Sequence, residues 1–165
     1  MTGDLHMKRL NEVQHILGNH LQEVSVDWLH QGGAGVSFAE RNIRRARGYL
    51  IVIIMLGGND IANGMSPEQL ADRMNQVAND ILDEGPHCVI IPSLWPRQNK
   101  IFNNHRSYAD RMEERYFMDP VITFWRWDVR QTWSTYDGVH LERRGYERAV
   151  RTIVAMIVWA INHNQ

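Results

Sequence analysis

The sequence has almost no cysteine: Cys88 is the single one in 165 residues, so no intramolecular disulfide can brace the fold and stability must come from a packed core. It also lacks an excess of charge. A formal net charge of −1 removes the general electrostatic reason to expect nucleic acid as a partner. No apolar run reaches the ~20 residues that cross a bilayer. The most apolar segment, "IVAMIVWAI", falls well short, and Met1 leads straight into a charged amphipathic stretch. Neither a membrane span nor a signal peptide is expected, and the chain reads as soluble, with the cytoplasm as the default location. The eight histidines form no tight ligand cluster, His15 and His20 being parted by Gly18, so neither a metal nor a cofactor is expected. There is no internal repeat and no low-complexity tract.

What is present is an ordinary globular composition, 44% hydrophobic and 22% charged. A chain of this length buries roughly two-thirds of its unfolded surface, enough for one domain over residues 1–165. Met7, Leu10, Val13, Ile16 and Leu17 recur at helical spacing ahead of Gly18, which predicts a helix near 5–17. "EVSVDWL" alternates with period two and predicts a short strand, followed by a loop in "HQGGAGVS". A basic helical segment runs from Phe38 to Arg47. "YLIVIIMLGGND" is a continuous apolar run ending in glycines, the pattern of a strand buried on both faces of a parallel sheet. Ser66-Pro67-Glu68-Gln69 combines a capping serine, a proline at the first helical position and a glutamine three residues on. The helix it starts continues through Leu70, Met74, Val77, Ile81 and Leu82 to Gly85. "CVIIPS" is a further buried strand, "RSYADRMEERYFM" a helix and "PVITFWRW" a last strand. From about Arg143 a helix carries Tyr146, Val150, Ile153, Val154, Ile157 and Ile161 on one face. Strands alternating with helices predict a three-layer α/β/α sandwich with a mostly parallel sheet.

In such sheets ligands bind beyond the carboxyl ends of the strands, which directs attention to the segments leaving them. Asp137 and His140 are spaced so that the carboxylate can accept from one ring nitrogen and leave the other as a general base; a capping aspartate beside a surface histidine has the same spacing. Asn59 follows two glycines at the end of a buried strand, as a neutral donor facing a pocket or as an ordinary turn residue. The glycines of "GGAGVS" can offer backbone N–H groups to an oxyanion or simply make a tight loop.

Taken in order, "GDL" near the start, "GGAGVS", "GGND" and "DGVHLERRGYERA" resemble the blocks of the SGNH or GDSL-like hydrolase family. The resemblance covers nearly the whole chain. It implies a flavodoxin-like sheet and hydrolysis of acyl esters, with His140 as base, Asp137 orienting it, and Gly35 and Asn59 in the oxyanion hole; Gly33 is a rival for the glycine position. It further implies a small acyl ester or an acylated carbohydrate or lipid as ligand. The match fails at the nucleophile, where Leu5 occupies the place of the family's serine. An alkyl side chain forms no acyl-enzyme. Only Met1 and Thr2 precede Gly3, so the family's first central strand is expected to be missing. "EVSVDWL" moving inward, a partner chain donating a strand and so making an oligomer, or a truncated gene would each account for that. Ser37, Ser93, Ser134 and His6 are the substitute nucleophiles to consider.

Two classes of function follow. In one, the site retains weak esterase activity by activating water. In the other it is a pseudoenzyme, a module that binds a ligand or a protein in the old pocket; a third option, apart from both, is an inactive fragment of a mobile-element or multidomain protein. Trp28, Trp95, Trp125, Trp127 and Trp133 can line an acyl pocket or pack the core. The arginine runs 41–47 and 143–151 are interleaved with glutamates and read as solvated helix faces.

Overall fold

The computed structural model describes residues 25–94, 102–126 and 141–163. Within them the fold is α/β, built on a three-stranded, all-parallel sheet in the order β1-β2-β3. The elements in chain order are α1 (Val36–Asn42), a 3-10 turn (Ile43–Ala46), β1 (Ile51–Ile53), α2 (Gly58–Ala62) and α3 (Pro67–Leu82). They are followed by β2 (Cys88–Pro92), α4 (Phe102–Arg115), β3 (Ile122–Trp125) and α5 (Arg143–His163). Ile51 is in register with Cys88, and Val89 with Ile122.

The middle strand β2 is buried along its whole length. Its side chains alternate between two apolar clusters, as strand geometry requires. Val89 and Ile91 join Leu70, Met74 and Val77 of α3 and Tyr108 and Met112 of α4. Cys88 and Ile90 join Tyr146, Val150, Ile153 and Ile157 of α5. The predicted apolar faces of α3 and α5 are thus the ones that meet the sheet strands.

Helix α3 forms for local reasons. Ser66 Oγ accepts from Gln69 N–H at 3.1 Å while Gln69 Oε1 accepts from Ser66 N–H at 3.1 Å, a reciprocal capping box with Pro67 behind it. Replacing Ser66 with alanine should cost about 1 kcal/mol, read as a lower urea midpoint with unchanged slope. Helix α4 lies beside α3, and their margins pair: Arg111 with Glu68, Arg115 with Asp72 and with Ala71 O, and Tyr116 Oη donating to Asn75 Oδ1 at 2.8 Å. The two ion pairs are exposed, so they orient the helices and add little to stability. Partial burial pushes the Tyr116 hydroxyl up to about 12.

Three expectations need correction. The apolar run before Gly57 gives a ladder of only Ile51–Ile53, whose residues are half-buried, and Leu50 is 66% exposed. Strand length is set by the partner available, and among the described residues β1 pairs on one edge alone. Ser25–Leu29, the described part of "EVSVDWL", forms no strand. Its alternation is real nonetheless: Val26 and Trp28 pack on the second cluster while Asp27 accepts from the Tyr49 hydroxyl. Side-chain burial thus occurs there without a backbone ladder. Helix α4 ends at Arg115, earlier than the pattern suggests, and Met118 beyond it takes a φ of 66°.

No helix among the described residues is long and apolar enough to cross a membrane. The predicted helix near 5–17 lies outside the described residues.

Candidate functional site

The chain leaves β1 through Leu56 and turns at Gly57, whose φ of 113° is open to glycine and strained for other residues. A Cβ there would also stand 2.9 Å from Leu70 Cδ2 and 3.1 Å from Leu94 Cδ2. This turn delivers Gly58–Ala62 as the short helix α2 at the carboxyl end of β1. Asn59 is thereby buried, at 6% exposure, and Asp60 is half-buried beside it.

Both side chains hold the segment from Ala34 to Val36. The Asn59 amide donates from Nδ2 to Ala34 O at 2.9 Å. The Asp60 carboxylate accepts the Val36 N–H with both oxygens, at 3.0 and 3.2 Å. Val36 is the first residue of α1, so its N–H has no partner within the helix, and the N-cap, Gly35, brings no side chain to this end. Asp60 therefore supplies from another element the cap that α1 cannot supply for itself, with its charge at the favourable end of the helix. This use of Asp60 was not anticipated from the sequence; its adjacency to Asn59 was the only available signal.

The two candidate glycines now separate by role. Gly33 has a φ of 69° and sits in the turn closed by Ala34 N–H to Gln31 O at 3.1 Å. That is turn chemistry, for which glycine is the ordinary choice. Gly35 has an extended φ of −117°, so its backbone makes no demand for glycine. Space does: a Cβ on Gly35 would lie 2.5 Å from one Asp60 carboxylate oxygen and 2.7 Å from the other. Gly35 is thus the glycine that permits contact with the Asn59-Asp60 segment.

Around this junction, Asp60, Asn63, Met65, Gln69 and Arg73 line an open depression of about 660 Å³. Arg73 is tied to Glu40 through a fork of contacts at 2.7 to 3.0 Å, which links α3 to α1 at the depression's rim. Inside the core, the fully buried Tyr108 has its hydroxyl pKa driven well up, first by burial and then by the charges of Tyr116 and Asp60. The Tyr108 hydroxyl finds no hydrogen-bond partner among the described residues.

Of the other residues singled out, Ser37 falls in the first turn of α1 and Ser93 is buried just after β2, its N–H donating to Trp125 O at 2.8 Å. Trp28 is partly buried against the second apolar cluster. Trp125, at the carboxyl end of β3, meets Trp159 edge-on at 6.2 Å. Leu5, His6, Trp95, Trp127, Trp133, Ser134, Asp137 and His140 lie outside the described residues. Gly35 and Asn59 are therefore the two predicted site residues that the structure brings to one place. Among the described residues no group of three His, Cys, Asp or Glu side chains could hold a metal ion. No protein-family model matches the chain, and no curated protein matches it.

Proposed function

We propose that this chain is an esterase-type domain of the SGNH class whose nucleophile position has decayed to Leu5. The observation that supports this reading is the junction just described. Segments resembling two separate blocks of that family, one carrying Gly35 and the other Asn59, are hydrogen-bonded to each other where β1 ends. The three-layer sandwich expected from the sequence belongs to the same reading, and the burial of β2 between two apolar clusters supports it.

In this reading Gly35 N–H and the Asn59 amide face the oxygen of a small acyl ester or an acylated carbohydrate or lipid. Both donors are neutral and fixed, so they favour the alkoxide that develops when the carbonyl is attacked; one such donor is worth about a hundred- to a thousandfold in rate. His140, oriented by Asp137, takes a proton from water. The resulting hydroxide attacks the carbonyl carbon, and the tetrahedral intermediate expels the alcohol, which leaves with the proton held on the imidazole. Without a serine the reaction proceeds in one displacement on water, with no acyl-enzyme, and is slow.

Release of nitrophenol from a short-chain nitrophenyl ester should be slow but above buffer for the wild type, and should fall to the buffer rate in His140→Ala. Equal rates in the two proteins would exclude the catalytic reading. They would favour instead a non-catalytic module that binds ligand or protein in the same place, a reading for which Leu5 is the supporting feature.

A further inference from the structure

We propose that the open depression beside Asp60 seats the alcohol half of the ester, and that this alcohol is a neutral sugar. The inference rests on the esterase reading above and narrows its substrate to an acylated carbohydrate, against an acylated lipid. The depression holds about 660 Å³, within the roughly 300–1,000 Å³ of sites that take small molecules. It shares Asp60 with the junction of Gly35 and Asn59, so a ligand seated there lies next to the proposed oxyanion donors.

The walls are fixed by contacts that leave polar capacity unspent. Asn63 N–H donates to Asn59 O at 2.9 Å and Met65 N–H to Asp60 O at 3.0 Å, which closes the turn after α2. The exposed side chain of Asn63 makes no hydrogen bond among the described residues, so its carbonyl and its amide both remain available. Gln69 Oε1 is held by Ser66 N–H at 3.1 Å, which leaves Nε2 as a donor. Arg73 gives Nε and Nη2 to Glu40 at 2.7 to 3.0 Å and keeps Nη1. Asp72 meets Arg115 through Oδ1 at 2.6 Å and keeps Oδ2 as an acceptor. Gln69, Asp72 and Arg73 are thus oriented before a ligand arrives, and a hydroxyl that meets them costs little further side-chain entropy.

Charge and polarity select the ligand. Each charge in the lining already has its counterpart within the protein: Arg73 with Glu40, Asp72 with Arg115, and Asp60 with the amino-terminal end of α1. Among the described lining residues no unmatched cation is left to draw a phosphate or a carboxylate. A fatty acyl chain needs an apolar wall. Here Met65 is the only hydrophobic side chain among the described lining residues, and it is half-buried against the first apolar cluster. What remains is a charge-balanced set in which Asn63 gives and accepts, Gln69 and Arg73 give, and Asp72 accepts. Adjacent sugar hydroxyls, each a donor and an acceptor at once, match that set.

Saturation-transfer NMR on the full chain, with methyl glucoside, methyl galactoside and methyl xyloside as probes, reads binding without turnover. At least one glycoside should bind in the millimolar range. Asn63→Ala should weaken that binding about threefold, and Asn63→Ala combined with Gln69→Ala about tenfold or more. Ser66 Oγ still accepts from the backbone N–H of position 69, so the helix start persists, and an unchanged urea slope shows the fold retained. Octanoate, the probe for an acyl chain, should not displace the sugar. The proposal is overturned if no glycoside receives transfer, if the double variant binds as the wild type does, or if octanoate displaces the sugar. Sugar binding that weakens as expected in a chain with no ester hydrolysis would keep the sugar site and bring down the esterase reading alone.

Discussion

Leu5→Ser should raise esterase turnover by about a hundredfold or more over the wild type. The expectation rests on what a nucleophile contributes when the remaining groups are in place. Removing a triad member from a serine hydrolase leaves roughly a thousand- to ten-thousandfold acceleration over water, whereas the intact machinery reaches far beyond that. On the proposed reading the wild type occupies the lower state, and the substitution returns it toward the higher one. The route itself should also change. A serine at position 5 would add to the ester carbonyl, expel the alcohol and hold the acyl group until water displaces it, so a burst of nitrophenol and a mass increase of one acyl group should accompany the faster rate. Leu5→Ala controls for loss of the leucine side chain and should show neither. Leu5→Ser combined with His140→Ala should lose the gain, because the hydroxyl would have no base. If Leu5→Ser folds and gains nothing, the geometry needed for acyl transfer no longer exists, and the binding reading takes precedence.

How far the sequence discloses this molecule depends on whether the deciding interaction is local. Helix α3 was legible in detail because serine, proline and glutamine act within one turn, and the capping box forms as their spacing predicts. The inward face of α5 was legible for a similar reason: Tyr146, Val150, Ile153 and Ile157 share one side of any α-helix, and that side is buried. Strand β1 was legible in position and over-read in extent. Its hydrophobicity correctly marks a strand, but how many residues pair depends on a neighbour remote in sequence. "EVSVDWL" misled for the complementary reason, since period-two burial at Val26 and Trp28 arises from side-chain packing without strand pairing. At the candidate site, Asn59 could be singled out from its glycines. The choice between Gly33 and Gly35 could not be made in one dimension, because the first answers to a backbone angle and the second to a carboxylate that arrives from another element. Asp60 escaped notice on the same ground: the helix it caps begins 24 positions upstream, and no local pattern encodes that.

That dependence yields the second large effect, expected from Gly35→Ala. Backbone strain does not enter, since φ of −117° suits alanine as well as glycine. The whole cost comes from a methyl group placed 2.5 to 2.8 Å from the Asp60 carboxylate atoms. Either the loop shifts or Asp60 swings away and abandons the Val36 N–H. Hydrogen bonds to a charged group are worth about 1.5–3 kcal/mol, so Gly35→Ala and Asp60→Ala should each destabilise by about 2–3 kcal/mol in urea denaturation. The double variant separates the cause. Once Asp60 is alanine the collision is gone, and Gly35→Ala should add little, giving a coupling of about 2–3 kcal/mol rather than a simple sum. Additive losses would show that Gly35 is held by something other than Asp60. The same cycle bears on function, because the Ala34–Val36 segment carries the proposed oxyanion donor. A displacement of about 1 Å at such a donor lowers a rate by roughly a hundredfold, so the esterase activity of Leu5→Ser should collapse in the Gly35→Ala background even where the fold survives. Loss of activity with the coupling present would mean that Asp60 acts at the site through the loop it holds, with no need to touch the substrate.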